Sequence, residues 1–352
     1  MNDQIPEDVI LKVENLKKHF PVRKGFFRRV VGHVEAVKGV TFEIPKGKTL
    51  GLVGESGSGK TTTGRMILRA IAPTEGRILF RSKNEVVDIA QLGRKQMRDI
   101  HADAQMIFQD PNSSLNPRMS VFEIISEPLR ARRWKKNDSI NRVRDLLRMV
   151  GLDPRLMRRF PQAFSGGQRQ RIGLARALAL NPSLIVADEP VSALDVSVQA
   201  QILNLLERVQ KELNLTLLFI AHDIGVVRYI CDQVAVMYAG SLVEVADADK
   251  IFENPRHPYT RALIAAAPPP DPHAEWSAHR DDSAKSADRI PDTGCPYAPR
   301  CPHAHEACKV MPALRVPEGT NKRHHVACHL YPAPGRALEG ACQVGLGENL
   351  NP

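Results

Sequence analysis

No apolar run in this 352-residue chain approaches the roughly 18 residues that a membrane-spanning helix needs. The first stretch, MNDQIPEDVILKVENL, lacks a basic segment followed by an apolar one. It therefore reads as having no signal peptide, and a cytoplasmic location is expected. Aromatic residues make up 5% of the chain. Eleven Arg or Lys crowd between Arg130 and Arg159 with only Trp134 for aromatic company. Without interleaved aromatics that run does not look like a single-strand nucleic-acid groove; it fits a solvated helical face or a contact with nucleic acid or lipid headgroups. Six Cys are present, yet the tight C-x2-4-C pairs of zinc sites are absent. No internal repeat is visible.

What is there describes a packed protein, 43% apolar and 25% charged, long enough for one large α/β domain and a smaller appendage. The net charge of +10 admits nucleic acid, an anionic membrane surface, a phosphate-rich ligand or simply a basic solvated surface.

The stretch LGLVGESGSGKTTT, Leu50 to Thr63, carries the strongest chemistry. Gly54, Gly59, Lys60 and Thr61 satisfy G-x-x-x-x-G-K-[ST], after a buried-strand run (Thr49 to Val53) and before a helical one (Thr62 to Ile71). Glycines let backbone N–H groups turn inward around phosphate oxygens, and the helix start adds partial positive charge. Lys60 is placed to reach the β- and γ-phosphates, and the Thr61 hydroxyl to ligate Mg²⁺. A second anion-binding helix start follows at Ser165, Gly166 and Gly167, ahead of the helical repeat Ile172, Ala175, Leu178.

Other elements follow the same logic. Residues 9–16 and Val34 to Ile44 alternate like strands, separated by a basic, Gly-containing stretch from Pro21 to Gly32. Phe20 fits either a purine-stacking aromatic or a core strand residue. Gln105 to Gln109 is a short strand before a polar loop, so Gln109 either caps the strand or meets Mg²⁺ or water. Val121 to Phe160 has a helical pattern. SLIVADE, Ser183 to Glu189, reads as a central parallel strand ending in two acids. Ligands of α/β sheets lie beyond the strands' carboxyl ends, so Asp188 suits Mg²⁺ and Glu189 a base or water-orienting group. His222 ends the strand Thr216 to Ile220 at the same edge. Ser197 to Leu213 is an amphipathic helix, 232–238 and 241–245 form a hairpin, and 247–267 is helical with breaks at Pro255 and Pro258.

From Pro268 the composition turns to Pro, Ser, His and Asp, a linker reaching to about residue 290. Beyond it Cys295, Cys301, Cys308 and Cys328 are spaced C-x5-C-x6-C-x19-C in a segment too poor in large apolar residues for its own core. Four thiolates so spaced could wrap a cube-shaped iron–sulfur cluster, hold zinc with help from His303 or His305, or stay free. Cys231 reads as a small buried apolar residue and Cys342 as a bystander.

Taken in order, GESGSGKT, Gln109, FSGGQRQR, LIVADE, SALD and His222 resemble the ATPase domain of an ABC transporter over about residues 9–250. QMIFQDPNSSLNPR, ENPRHPYTRALIAAAP and the Cys array are more narrowly similar to ATPase subunits of oligopeptide and dipeptide importers. The resemblance implies an α/β fold, an ABC-type P-loop ATPase with a mixed sheet core, an antiparallel β subdomain and an α-helical subdomain, plus a small Cys-rich C-terminal extension. It implies residues 1–267 as the ATPase domain with the helical subdomain at about 110–180, a linker at 268–290, the Cys-rich region at 291–335 and a tail at 336–352. ATP would be held by Phe20, Gly54, Glu55, Ser56, Gly57, Ser58, Gly59, Lys60, Thr61, Thr62 and Gln109. Mg²⁺ would be held through Thr61, Gln109 and Asp188.

Glu189 and His222 would be catalytic, with Glu189 orienting the attacking water as ATP becomes ADP and phosphate. Ser165, Gly166, Gly167 and Gln168 form the signature that closes on a partner's ATP, and Asp195 belongs to the D-loop. The implied partners are a second, non-identical ATPase subunit, two permease subunits and an extracytoplasmic peptide-binding protein, with no nucleic acid. The implied location is peripheral, on the cytoplasmic face of the cell membrane. For the four C-terminal cysteines the resemblance implies a [4Fe-4S] cluster. Related systems carry nickel, glutathione or oligosaccharides, which keeps other cargos open. A soluble ABC ATPase of nucleic-acid metabolism is the competing class, but it would bring two cassettes or a coiled-coil insertion.

Overall fold

A computed structural model describes residues 5–25, 29–83, 85–266, 291, 293–320 and 322–331. The linker and tail expectations and Cys342 lie outside those residues. In chain order β1 (Val9–Lys24) and β2 (Arg29–Pro45) pair as a long antiparallel hairpin. Next come β3 (Thr49–Val53), α1 (Lys60–Ile67), β4 (Glu75–Ser82), β5 (Glu85–Asp88), α2 (Arg94–Asp103) and β6 (Ala104–Ile107). The helical segment contains α3 (Pro111–Ser114), α4 (Val121–Ala131), α5 (Lys136–Met149) and α6 (Gly166–Ala177). Then β7 (Leu184–Asp188), α7 (Val196–Leu213), β8 (Thr216–Ala221), α8 (Ile224–Ile230), β9 (Gln233–Tyr238) and β10 (Ser241–Asp247) alternate. The described chain ends with α9 (Ala248–Glu253), α10 (Pro258–Ala265) and the short β11 (His325–Val326).

Two sheets result. The first is antiparallel in the order β2-β1-β4-β5; the second runs β11-β10-β9-β3-β8-β7-β6. Within the second, β9, β3, β8, β7 and β6 are parallel, while β10 and β11 are antiparallel additions. The central strands β3, β7 and β8 are buried along their whole length, as uninterrupted apolar runs require. Period-two alternation sorts their side chains into two cores. Val53, Ile185, Ala187, Leu217 and Phe219 face a cluster that includes Ile124, Leu146, Ile172 and Leu206 of the helices. Leu50, Leu52, Val186, Leu218 and Ile220 face Met66 and Ile67 of α1 and Leu11, Phe42 and Phe80 of the antiparallel sheet. The mixed sheet is thus sandwiched between the helical part and the antiparallel part, and the strand carboxyl ends are left for a ligand.

The structure differs from the expectations in places with local causes. Strand β1 runs through Pro21 to Lys24, because β4 stops pairing at Lys17 and Pro21 sits where only β2 is a neighbour. The single helical pattern from 121 to 160 is two helices and a short 3-10 turn, parted where Arg133 turns to φ 58°. Helix α1 already starts at Lys60 and ends before Arg69, which has φ 54°. No pattern in the sequence announces strand β5 or helices α2 and α8. At 94–103 the apolar positions are few, so only Met97 and Ile100 are buried. Among the described residues no helix is long and apolar enough to cross a membrane.

Candidate functional site

The phosphate loop leaves β3 at Gly54, whose φ of +150° is closed to ordinary side chains, and a Cβ there would stand 2.1 Å from the Met237 carbonyl oxygen. Lys60 is buried, and its Nζ donates to the carbonyls of Gly54 (2.7 Å) and Glu55 (2.8 Å) and reaches Ser58 Oγ at 3.3 Å. Burial lowers the pKa of this ammonium from its ordinary value, against the pull of Glu189, Asp188 and Glu55. One residue on, Thr61 Oγ1 donates to Asp188 Oδ1 at 2.8 Å. Asp188 ends a fully buried strand, and burial raises its pKa while the Thr61 bond opposes the rise.

Glu189 follows with φ 46°, its N–H still bonded to the Ile220 carbonyl (2.9 Å). That turn swings its carboxylate out of the sheet. Gln109 Nε2 donates to Glu189 Oε2 at 2.7 Å, and His222 Nδ1 lies 3.3 Å from the same oxygen. Three residues from the ends of β6, β7 and β8 thus share one carboxylate oxygen beside the Thr61–Asp188 pair. Such a group can ligate a hard cation through Thr61 and Asp188 and hold a water by Glu189.

Ser165 caps α6. Its Oγ accepts from the Gln168 N–H (3.4 Å), and the Gln168 side chain accepts from the Ser165 N–H (3.0 Å), a capping box. A Cβ on Gly167 would stand 2.4 Å from Val198 Cγ1, so α6 packs directly against the start of α7, where Asp195 occupies the N-cap position without a side-chain capping bond. Ser165, Gly166 and Asp195 are exposed. Phe20 lies on β1, 37% exposed, with Lys18 Nζ 5.1 Å from its ring centre. It is therefore not a core aromatic.

The four C-terminal cysteines are free thiols that line one cavity together with His257, His303, His305 and His329. The Cys295 N–H donates to the Cys308 carbonyl at 2.8 Å, closing the loop that brings them together. Burial raises the pKa of Cys295 and Cys301 and pushes Cys328 up to about 12. Among the described residues no group of three or more His, Cys, Asp or Glu side chains is arranged to hold a metal ion. Neither the zinc expectation nor the cluster expectation therefore receives ligand geometry from the structure. The convergence of the thiols is what remains of it.

Three residues that the sequence did not single out tie this region to the rest. Glu244 on β10 is fully buried and accepts from the backbone N–H groups of Arg256 (2.8 Å) and His257 (2.9 Å), and His324 Nε2 lies 2.7 Å from it. The N–H of Glu55 donates to Tyr259 Oη at 2.8 Å, and Arg300 Nη1 donates to both Glu55 carboxylate oxygens at 3.0 and 3.1 Å. Tyr259 lies within ENPRHPYTRALIAAAP, but nothing in that string marks its contact with a loop two hundred positions earlier.

This fold and this set of strand-end residues define a P-loop ATPase of the ABC type. The ABC transporter family model matches residues 37–192, and the model of the oligopeptide/dipeptide transporter C-terminal region matches residues 243–308. The chain is 46% identical over 331 residues to the oligopeptide transport ATP-binding protein AppF of Bacillus subtilis, covering 92% of this chain and 98% of that one. It is 45% identical over 327 residues to the oligopeptide transport ATP-binding protein OppF of Salmonella typhimurium, covering 91% and 96%. Among solved structures it resembles cbiO1 from Clostridium perfringens, part of the ABC transporter complex cbiONQ (TM-score 0.60, 29% identity, 70% of this chain and 92% of that chain). It also resembles the ATP-binding cassette MJ0796 in a dimeric post-hydrolysis state bound to ADP and Pi (TM-score 0.59, 29% identity, 68% and 99%). The chain belongs to the ATP-binding subunits of the oligopeptide/dipeptide ABC transporter family, and is an ATP-hydrolysing transport ATPase.

Proposed function

We propose that this ATPase powers the uptake of oligopeptides or dipeptides from a peripheral position on the cytoplasmic face of the membrane. The observation that carries the mechanism is the Glu189 carboxylate, held by Gln109 and facing His222, next to the Thr61–Asp188 pair. In this reading Lys60 and the loop from Gly54 to Thr62 bind the phosphates, and Phe20 stacks on the adenine. Thr61, Asp188 and Gln109 would hold Mg²⁺, which supplies charge neutralisation of the β- and γ-oxygens. Glu189 orients the water, and His222 steadies Glu189 and the departing γ-phosphate. Ser165, Gly166, Gly167 and Gln168 at the start of α6, with Ser165 and Gly166 exposed, close over ATP on a partner ATPase, with Asp195 beside them.

One chain carries one phosphate loop and one signature, so two ATPases make two sites. The reading takes the second as a related, non-identical subunit, with two permeases docked near Gln109, an extracytoplasmic binding protein delivering cargo and no nucleic acid involved. It keeps the proposed layout of ATPase domain to residue 267, helical subdomain at about 110–180 and Cys-rich region from 291. Membranes from cells making the whole assembly should accumulate labelled peptide in an ATP-dependent way. Accumulation of nickel, glutathione or oligosaccharide instead would move the cargo. Recovery of the chain with nucleic acid and no membrane protein would overturn the transport reading.

The second part of the proposal concerns the thiols. Cys295, Cys301, Cys308 and Cys328 line one cavity and would be the thiolates that hold a [4Fe-4S] cluster, with zinc as the alternative. Anaerobically purified protein should absorb broadly near ~400 nm and carry about four irons per chain. Colourless protein with one zinc would replace the cluster with zinc. Metal-free protein, or unchanged metal content after Cys301→Ser, would leave ordinary thiols.

A further inference from the structure

Glu55 is held from three directions. Its carbonyl accepts from Lys60 Nζ (2.8 Å), its N–H donates to Tyr259 Oη (2.8 Å), and its carboxylate receives Arg300 Nη1 (3.0 and 3.1 Å). The first contact lies inside the phosphate loop. The other two come from residues beyond the ATPase motifs, one on α10 and one in the Cys-rich region.

The outer two are themselves fixed. Tyr259 is 1% exposed, and its ring packs against Tyr238 (centroids 4.6 Å apart) and Tyr297 (5.4 Å). Tyr238 and Tyr297 meet edge to face at 5.3 Å. The Arg300 guanidinium lies 6.0 Å from the Tyr238 ring centre and 5.7 Å from that of Tyr297. Tyr238 is the last residue of β9, whose neighbour Met237 presents the carbonyl that closes on Gly54. Tyr297 also lines the cysteine cavity. A rigid aromatic block therefore connects the sheet, the cysteine cavity and the outer side of the phosphate loop.

We propose that Tyr259 and Arg300 are positioning residues for ATP, acting through Glu55 to set the phosphate loop and the Lys60 ammonium, so that the C-terminal region tunes nucleotide affinity. The inference rests on the ATP-site reading. The side chain of Glu55 faces away from the loop's interior and toward Arg300. Its grip works on the backbone: the residue that Tyr259 and Arg300 hold supplies a carbonyl to Lys60. Loosening either contact lets that carbonyl drift, and Lys60 follows it.

The test uses the full-length chain and Mg·ATP binding by calorimetry, with thermal unfolding in parallel. Arg300→Gln and Tyr259→Phe should each weaken Mg·ATP binding about 5-fold or more, the lower range of a coupling between sites. Arg300→Lys should recover most of the affinity. Any fall in the melting temperature of nucleotide-free Arg300→Gln protein should leave it folded at the temperature of the titration, so that the affinity is read on native protein. In a Glu55→Gln background Arg300→Gln should add less than about a twofold change, because its route is already cut. Wild-type affinity in both Arg300→Gln and Tyr259→Phe would overturn the inference. So would an undiminished effect of Arg300→Gln when Glu55 is already Gln. Wild-type protein that binds no Mg·ATP would sink the ATP-site reading itself, a different result from unchanged variants.

Discussion

Gln109 and Glu189 sit 80 positions apart in sequence, yet the Gln109 amide donates to Glu189 Oε2 at 2.7 Å. The bond joins the end of β6, where the chain enters the helical segment, to the residue just past β7. Any movement of the helical segment relative to the sheet changes what the Glu189 carboxylate touches. In the proposed reading this bond is the physical link between a docked permease and the group that would orient water.

Glu189→Gln keeps the shape of the side chain but removes the charge proposed to orient water. Hydrolysis should fall by about 10²–10⁴-fold while ATP binding persists, and the ATPase dimer should become stable enough to isolate. Single-turnover hydrolysis and gel filtration with Mg·ATP check it. Turnover at the wild-type rate would remove Glu189 from its proposed role.

Asp188 carries a desolvation cost for its carboxylate, offset in part by Thr61. Asp188→Asn removes the charge at nearly constant shape. The nucleotide-free protein should melt no lower than wild type, and hydrolysis should be lost. A marked drop in melting temperature would mean that the carboxylate stabilises the fold.

Buried Glu244 satisfies the backbone N–H groups of half-buried Arg256 and buried His257 and contacts buried His324. Glu244→Ala leaves those donors unpaired and should cost about 1–3 kcal/mol for each of them by denaturant unfolding. Limited proteolysis should then cut the region around residues 291–331 first, because β11 docks on β10 beside Glu244. Equal protease resistance in both proteins would show that the region is held by other means.

Cys231 is buried beside the central sheet, and burial drives its pKa up. It should resist alkylation in native protein and react only on unfolding. Mass spectrometry after a short thiol-reagent pulse reads this directly, and labelling of Cys231 in folded protein would refute its placement.

The sequence by itself determined the chemistry. GESGSGKT, FSGGQRQR and LIVADE are local strings, and the strand–loop–helix rule places each at a strand end or helix start without reference to distant residues. The alternation of short apolar runs with amphipathic helices likewise announced a parallel sheet. What only tertiary structure decided is which strand ends meet and what holds them. Gln109, Glu189 and His222 share an oxygen because β6, β7 and β8 are adjacent in the sheet, a strand order no local pattern encodes. The Pro21–Lys24 strand exists because β2 pairs with it across the hairpin, which overrides a basic composition that reads as loop. Tyr259 and Arg300 reach Glu55 for the same reason. The antiparallel additions β10 and β11 carry the C-terminal region back to the mouth of the phosphate loop. Contacts of that range depend on how whole elements pack, and the residues making them carry no local mark.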